Sequence, residues 1–137
     1  YKRQALKTLH QFFCEKIKLY FSRLASNKDE NPVVFQIKEY LHQNYAVPSL
    51  SVPDISEHVR LSPTYVCTLF KNETGQTLNQ YLTDYRIKMS KQFLSDPLYK
   101  ITDISAKVGY SDGNYYSKAF RKIVGLSPSE YREKMLR

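Results

Sequence analysis

A chain of 137 residues, 42% of them hydrophobic, can build one packed domain or two small lobes and has no room for more. Its formal net charge of +8 and isoelectric point near 9.4 favour a polyanionic partner. No apolar run approaches the ~20 residues of a membrane span, no signal-peptide pattern opens the chain, and Cys14 and Cys67 lack metal-ligand spacing, which disfavours membrane, secreted and zinc-module classes and points to a reducing cytoplasm.

Residues 1–26 read as one helix, in which Leu6, Leu9, Phe12, Phe13, Ile17, Tyr20, Phe21 and Leu24 recur at steps of three and four. Residues 1–31 hold seven Lys/Arg against three Asp/Glu, so half of the excess charge lies in this opening stretch. A basic arm on a polyanion is one reading. The preferred one is the end of a connector or dimerising helix from an upstream domain. Ser26 to Pro32 is polar and ends in proline, as linkers do.

From Val33 to Tyr45 the stripe Val34, Ile37, Leu41, Tyr45 predicts a helix. Ser51 caps the next, short helix over about 52–59, with Asp54 at its third position. Ser62 caps a third, with Pro63 at its first position, where a missing N–H is harmless. This helix runs to about Thr74 and stops at Gly75. Thr77 opens a long helix to about Ser95, with Leu78, Tyr81, Leu82, Tyr85, Met89 and Phe93 as its expected buried side, and Asp96-Pro97 ends it. A helix near 102–108 follows, then a turn through Gly109-Tyr110-Ser111, then an Asp112-capped helix near 113–124. Ser127-Pro128-Ser129-Glu130 forms a capping box for the last helix. No alternating run marks a strand, so the fold class is all-α.

Part of this chain is written twice. Asp54-Ile55-Ser56 leads through Val59, Leu61, Ser62 and Phe70 to Gly75; Asp103-Ile104-Ser105 leads through Val108, Tyr110, Ser111 and Phe120 to Gly125. The offset is 49 at the start and 50 from Phe70/Phe120 onward. Each glycine is followed by a matching ending, Gly75-x-Thr77-x-x-x-Tyr81 and Gly125-x-Ser127-x-x-x-Tyr131. Two copies of helix, tight turn and helix suit a partner with a repeating structure, and duplex DNA is the first candidate. Ile55 and Val59 are placed to brace Val66, Leu69 and Phe70; Ile104, Ala106 and Val108 are placed to brace Tyr116, Ala119 and Phe120. The inserted residue falls in the second turn, where Gly109 accepts a positive φ.

Leu61-Ser62-Pro63-Thr64-Tyr65-Val66-x-x-Leu69-Phe70-Lys71-x-Glu73-Thr74-Gly75 resembles the first helix-turn-helix of the AraC/XylS family of bacterial transcription regulators. The stretch from Ile104 to Arg132, through Val108-Gly109-Tyr110-Ser111-Asp112 and Gly125-x-Ser127-Pro128-x-x-Tyr131-Arg132, resembles the second, which carries the family signature. The resemblance covers roughly residues 33–136. It implies a seven-helix DNA-binding region: a first helix-turn-helix subdomain at 33–76, a linker helix at 77–96 and a second subdomain at 97–137, behind a connector at 1–31. The chain would be the C-terminal output half of a larger regulator whose upstream part carries the signal. The partners implied are double-stranded promoter DNA and RNA polymerase; activation through the polymerase is common in the family, so an activator is expected rather than a repressor. A homodimer would form through the upstream region or the opening helix. No cofactor is implied.

On the apolar frame, Thr64, Tyr65, Cys67, Thr68 and Lys71 face outward on the first recognition helix. Asn114, Tyr115, Ser117, Lys118, Arg121 and Lys122 do so on the second. The resemblance puts base contacts on Thr64, Cys67, Thr68, Asn114, Tyr115 and Lys118. Many members carry a long basic residue where Thr68 stands, and threonine cannot make the bidentate guanine contact of arginine. Residues 51–80 hold two Lys/Arg against three Asp/Glu, whereas 113–137 hold six against two. The second unit is therefore expected to supply most phosphate attraction, and the first to discriminate by shape and methyl contact. Tyr116 is expected in the core, and the other tyrosines mainly in packing. Asn114 has a second reading as a plain first-turn residue and Tyr115 as plain surface. Cys67 reads as a small surface filler, and His10, His42 and His58 as solvated. Nothing in the chain resembles a phosphate loop, a nucleophile elbow or a catalytic cluster, so an enzyme is not expected. The competing readings are a helical protein-interaction module and an architectural DNA binder without sequence preference.

Overall fold

Side-chain caps set most of the helix starts. In the computed structural model, which describes residues 16–17 and 30–137, the amide of Ser51 donates to Asp54 Oδ2 at 3.0 Å. Ser62 Oγ accepts from Tyr65 N–H at 3.2 Å, and Thr77 Oγ1 from Gln80 N–H at 3.1 Å. Asp112 Oδ1 accepts from Asn114 N–H at 2.8 Å, and Ser127 Oγ from Glu130 N–H at 3.1 Å. Each bond satisfies a first-turn donor that has no partner inside its own helix. Residues 32–137 form seven helices: α1 Pro32–Asn44, α2 Val52–Val59, α3 Pro63–Thr74, α4 Leu78–Leu94, α5 Ile101–Lys107, α6 Gly113–Val124 and α7 Pro128–Met135. No strand occurs among the described residues, in keeping with the all-α expectation. The helix expected over 1–26 lies outside the described residues.

The helices enclose two cores. In the first, Val34, Ile37 and Leu41 of α1 meet Ile55 of α2, Val66 and Phe70 of α3, and Leu78 and Leu82 of α4. In the second, Ile87 and Leu94 of α4 meet Ile104 of α5, Val108, and Tyr116 and Phe120 of α6. Fully burying one such side chain contributes about 1.5–3 kcal/mol.

Helix α4 belongs to both cores, and this corrects the expected buried side. Tyr81, Tyr85, Met89 and Phe93 are only half-buried, while Ile87, Ser90 and Leu94 are buried. The buried stripe steps by four from Leu78 to Leu82, then by five to Ile87. At 3.6 residues per turn that fifth residue swings the stripe roughly 140° around the axis. The two cores therefore contact different sides of one rod, and no single-face pattern can describe it.

Two arginines tie the bundle together at α4. Arg132 of α7 donates from Nε to Leu94 O at 3.0 Å and from Nη2 to Asp96 O at 3.2 Å, which satisfies carbonyls at the end of α4. Arg86, midway along α4, reaches the loop after α1.

Candidate nucleic-acid interface

The two turns share one backbone device. In the first, Arg60 takes the left-handed conformation at φ 58°, its N–H donates to Glu57 O, and Leu61 N–H reaches back to Ser56 O at 3.1 Å. In the second, Gly109 does so at φ 94°, its N–H donates to Ala106 O, and Tyr110 N–H reaches back to Ser105 O at 2.9 Å. This is the paired closure of a Schellman-type cap. The positive φ expected at Gly109 is present, and its counterpart one repeat earlier is an arginine. The extra residue of the second copy follows the left-handed residue, between Tyr110 and the cap Asp112.

From the caps onward the copies coincide. Residues 62–81 and 112–131 have the same order of buried, half-buried and exposed positions throughout. Val66 and Phe70 are buried where Tyr116 and Phe120 are buried, so the expected core role of Tyr116 holds. All eleven predicted contact residues are exposed: Thr64, Tyr65, Cys67, Thr68 and Lys71 on α3, and Asn114, Tyr115, Ser117, Lys118, Arg121 and Lys122 on α6. Tyr65 and Tyr115, at 53% and 69% exposure, stand out from the other Tyr and Phe among the described residues, which are buried or half-buried. One expected brace fails. Ala106 is exposed, bordering a cleft shared with Asn114 and Ser117, and Ile104 with Val108 fills the space beneath α6.

Six of these residues border three grooves. Cys67, Thr68 and Lys71 share one with Thr77 and Asn79 at the start of α4. Asn114 and Ser117 border a polar cleft with Thr102, Ser105 and Asp112. Lys122, at the far end of α6, faces Asn79, Gln80 and Thr83 across a third. Asn79 borders grooves next to both recognition helices, and the sequence reading passed it over because a polar residue in a first turn has no periodicity to mark it. Among the described residues, Lys118, Arg121 and Lys122 have no carboxylate partner, and the surface ion pair of this region joins Glu133 to Arg137. Asp84 lines the same groove as Lys122 without forming an ion pair to it.

The two described histidines are exposed, as expected, and each also makes ring contacts. His42 Nε2 lies 2.8 Å from the Tyr81 hydroxyl, and its ring stacks on Tyr85 at 4.2 Å. His58 stacks on Tyr40 at 4.3 Å. Burial, then the charges of Lys88 and Lys38, lower the His42 pKa. His10 lies outside the described residues.

The profile of a helix-turn-helix domain family matches residues 55–134, which span both copies. The chain belongs to the AraC-type helix-turn-helix family of DNA-binding transcription regulators. Over 110 residues it is 36% identical to the Msm operon regulatory protein of Streptococcus mutans, in an overlap of 80% of this chain and 39% of that protein. The chain thus spans well under half the length of this curated relative. The C-terminal domain of AraT, a response regulator from Geobacillus stearothermophilus, superposes with a TM-score of 0.75 at 28% identity, over 78% of this chain and 88% of that one. A transcriptional regulator with an AraC-type DNA-binding domain from Chromobacterium violaceum does so with a TM-score of 0.70 at 25% identity, over 76% and 92%. These relatives are regulators rather than enzymes.

Proposed function

We propose that this chain sets α3 and α6 into successive major-groove segments on one face of promoter DNA. The observation that carries the reading is the matched exposure of residues 62–81 and 112–131: two outward faces of one design on one polypeptide. Half-sites one helical turn apart lie ~34 Å apart centre to centre. The shared helix α4, 17 residues long, spans roughly 25 Å at ~1.5 Å per residue, and with the width of the flanking helices it is a spacer of suitable size. Because the two units differ and sit on one chain, the site need not be a palindrome.

Within this reading Thr64, Cys67 and Thr68 meet base edges and thymine methyls, and Asn114, Tyr115 and Lys118 read the second half-site. Tyr65, Lys71, Ser117, Arg121 and Lys122 hold phosphates and fix the orientation. Residues 1–31 act as the connector from an upstream sensing domain, and 32–137 are the output. Activation through RNA polymerase is the proposed consequence.

Selection of bound duplexes from a random pool tests the core of this. The expected result is a bipartite, non-palindromic motif with half-sites about 10–10.5 base pairs apart. A single short motif would mean that one helix reads alone. Retention of every sequence equally would mean backbone binding without readout, and no retention at all would favour a protein-interaction module.

A further inference from the structure

We infer that Arg86 is a positioning residue that sets the distance between half-sites by locking the two helix-turn-helix units to each other. The inference rests on the two-groove reading above. Arg86 Nε donates to Tyr45 O at 2.8 Å, and Nη2 donates to Val47 O at 3.0 Å. Both carbonyls belong to the loop between α1 and α2, in the first unit. The same guanidinium lies over the Tyr110 ring, 5.5 Å from its centroid, in the turn of the second unit. The Tyr45 side chain packs against both cores. One planar side chain on the shared helix thus touches both units at once. Only arginine offers two parallel donors and a flat face together, whereas lysine would keep the charge and lose the fork.

Gly109 shows that the joint is built for close approach. A Cβ there would stand 2.3 Å from Tyr45 O and 2.8 Å from Arg86 Nε. The matching residue of the first turn, Arg60, is exposed and carries a full side chain at φ 58°, inside the left-handed helical region. Glycine at 109 therefore meets two demands: a φ of 94°, well beyond the 58° of Arg60, and close contact with the other unit. The internal repeat sets Arg86 apart in the same way. Fifty residues on stands Leu136, which is exposed and offers no such fork.

The test uses a duplex taken from the random-pool selection. Derivatives carry one to three base pairs added or removed between the halves, or one half scrambled. Wild-type protein, Arg86→Met, Arg86→Lys and Gly109→Ala are titrated against each. A linked second contact multiplies affinity only when geometry lets both engage, so wild type should lose about tenfold or more when two base pairs are added. Arg86→Met and Gly109→Ala should bind the selected duplex about tenfold more weakly and show a nearly flat spacing profile, while half-scrambled duplexes bind as they do to wild type. Arg86→Lys should fall between. Equal losses on whole and half-scrambled duplexes, or a spacing profile unchanged in Arg86→Met, would overturn the assignment. A wild-type protein indifferent to spacing would overturn the two-groove reading itself, and this assignment with it.

Discussion

The first and second helix-turn-helix units share a frame and differ in what they hang on it. Both bury two residues of the recognition helix, and both close their turn with a left-handed residue. Yet α6 carries Lys118, Arg121 and Lys122 on its outer face, while α3 carries Lys71 with Glu73 nearby. The first turn points Arg60 into solvent, and the second presses Gly109 against the other unit. Duplication preserves what folding needs, the apolar spacing and the caps. It leaves charge, turn length and side-chain chemistry free to diverge. One unit can then grip and the other can select, and the joint between them needs to be built on only one side.

The largest expected effects strike the shared frame. Phe70→Ala and Phe120→Ala each empty a fully buried position and should each cost about 3–5 kcal/mol in urea unfolding. Comparable losses would show that the two cores contribute alike; a small loss at one would show that its unit is loosely packed. Next comes the turn asymmetry. Gly109→Ala should cost about 1–3 kcal/mol, since the new methyl meets backbone at a strained φ, whereas Arg60→Gly should shift stability by less than ~1 kcal/mol. Equal effects would erase the distinction between the two turns.

Much of this was legible in the sequence, for reasons that can be named. Caps are local: Ser62, Thr77, Asp112 and Ser127 act on amides two or three residues away, so spacing alone locates them. The apolar frame is periodic, and the outward residues follow from it. What escaped was non-local or aperiodic. Ile87 and Leu94 were missed because α4 changes its buried face midway. Arg86 and Arg132 look like ordinary surface cations until the carbonyls of Tyr45, Val47 and Leu94 are seen beside them. The exposure of His42 and His58 is legible, but their stacking on Tyr85 and Tyr40 is not. A residue that acts on a distant part of the chain leaves no mark on its neighbours.

Smaller effects sharpen the division of labour. Lys118→Ala should cost about 1–3 kcal/mol of affinity and relax one position of the bound sequence. Arg121→Ala should weaken all sequences alike and reduce the slope of log affinity against log salt by ~1. Thr68→Ala should relax one position and leave that slope unchanged. If the second-unit variants leave both slope and affinity untouched, the proposed contrast in charge has no role in binding.

The smallest effect is one of pH, and among the described residues the histidines lie only in the first unit. Folding lowers the His42 pKa below its ordinary 6.5, so near and below that pH the unfolded chain holds more of the proton. Stability therefore rises with pH through this window and falls as pH drops through about 6.5. His42→Gln should flatten this slope in unfolding curves collected between about pH 5 and 7.5. An unchanged slope would place the sensitivity elsewhere.

The central claim is that two faces of one chain occupy neighbouring grooves of one duplex. Guanine methylation interference reads it directly, because N7 lines the major groove. Duplexes with guanines spread through the selected site are lightly methylated, bound and separated from free DNA. The account predicts two interfering clusters about 10–10.5 base pairs apart on one face. A single cluster, or two clusters on opposite faces of the helix, would contradict it.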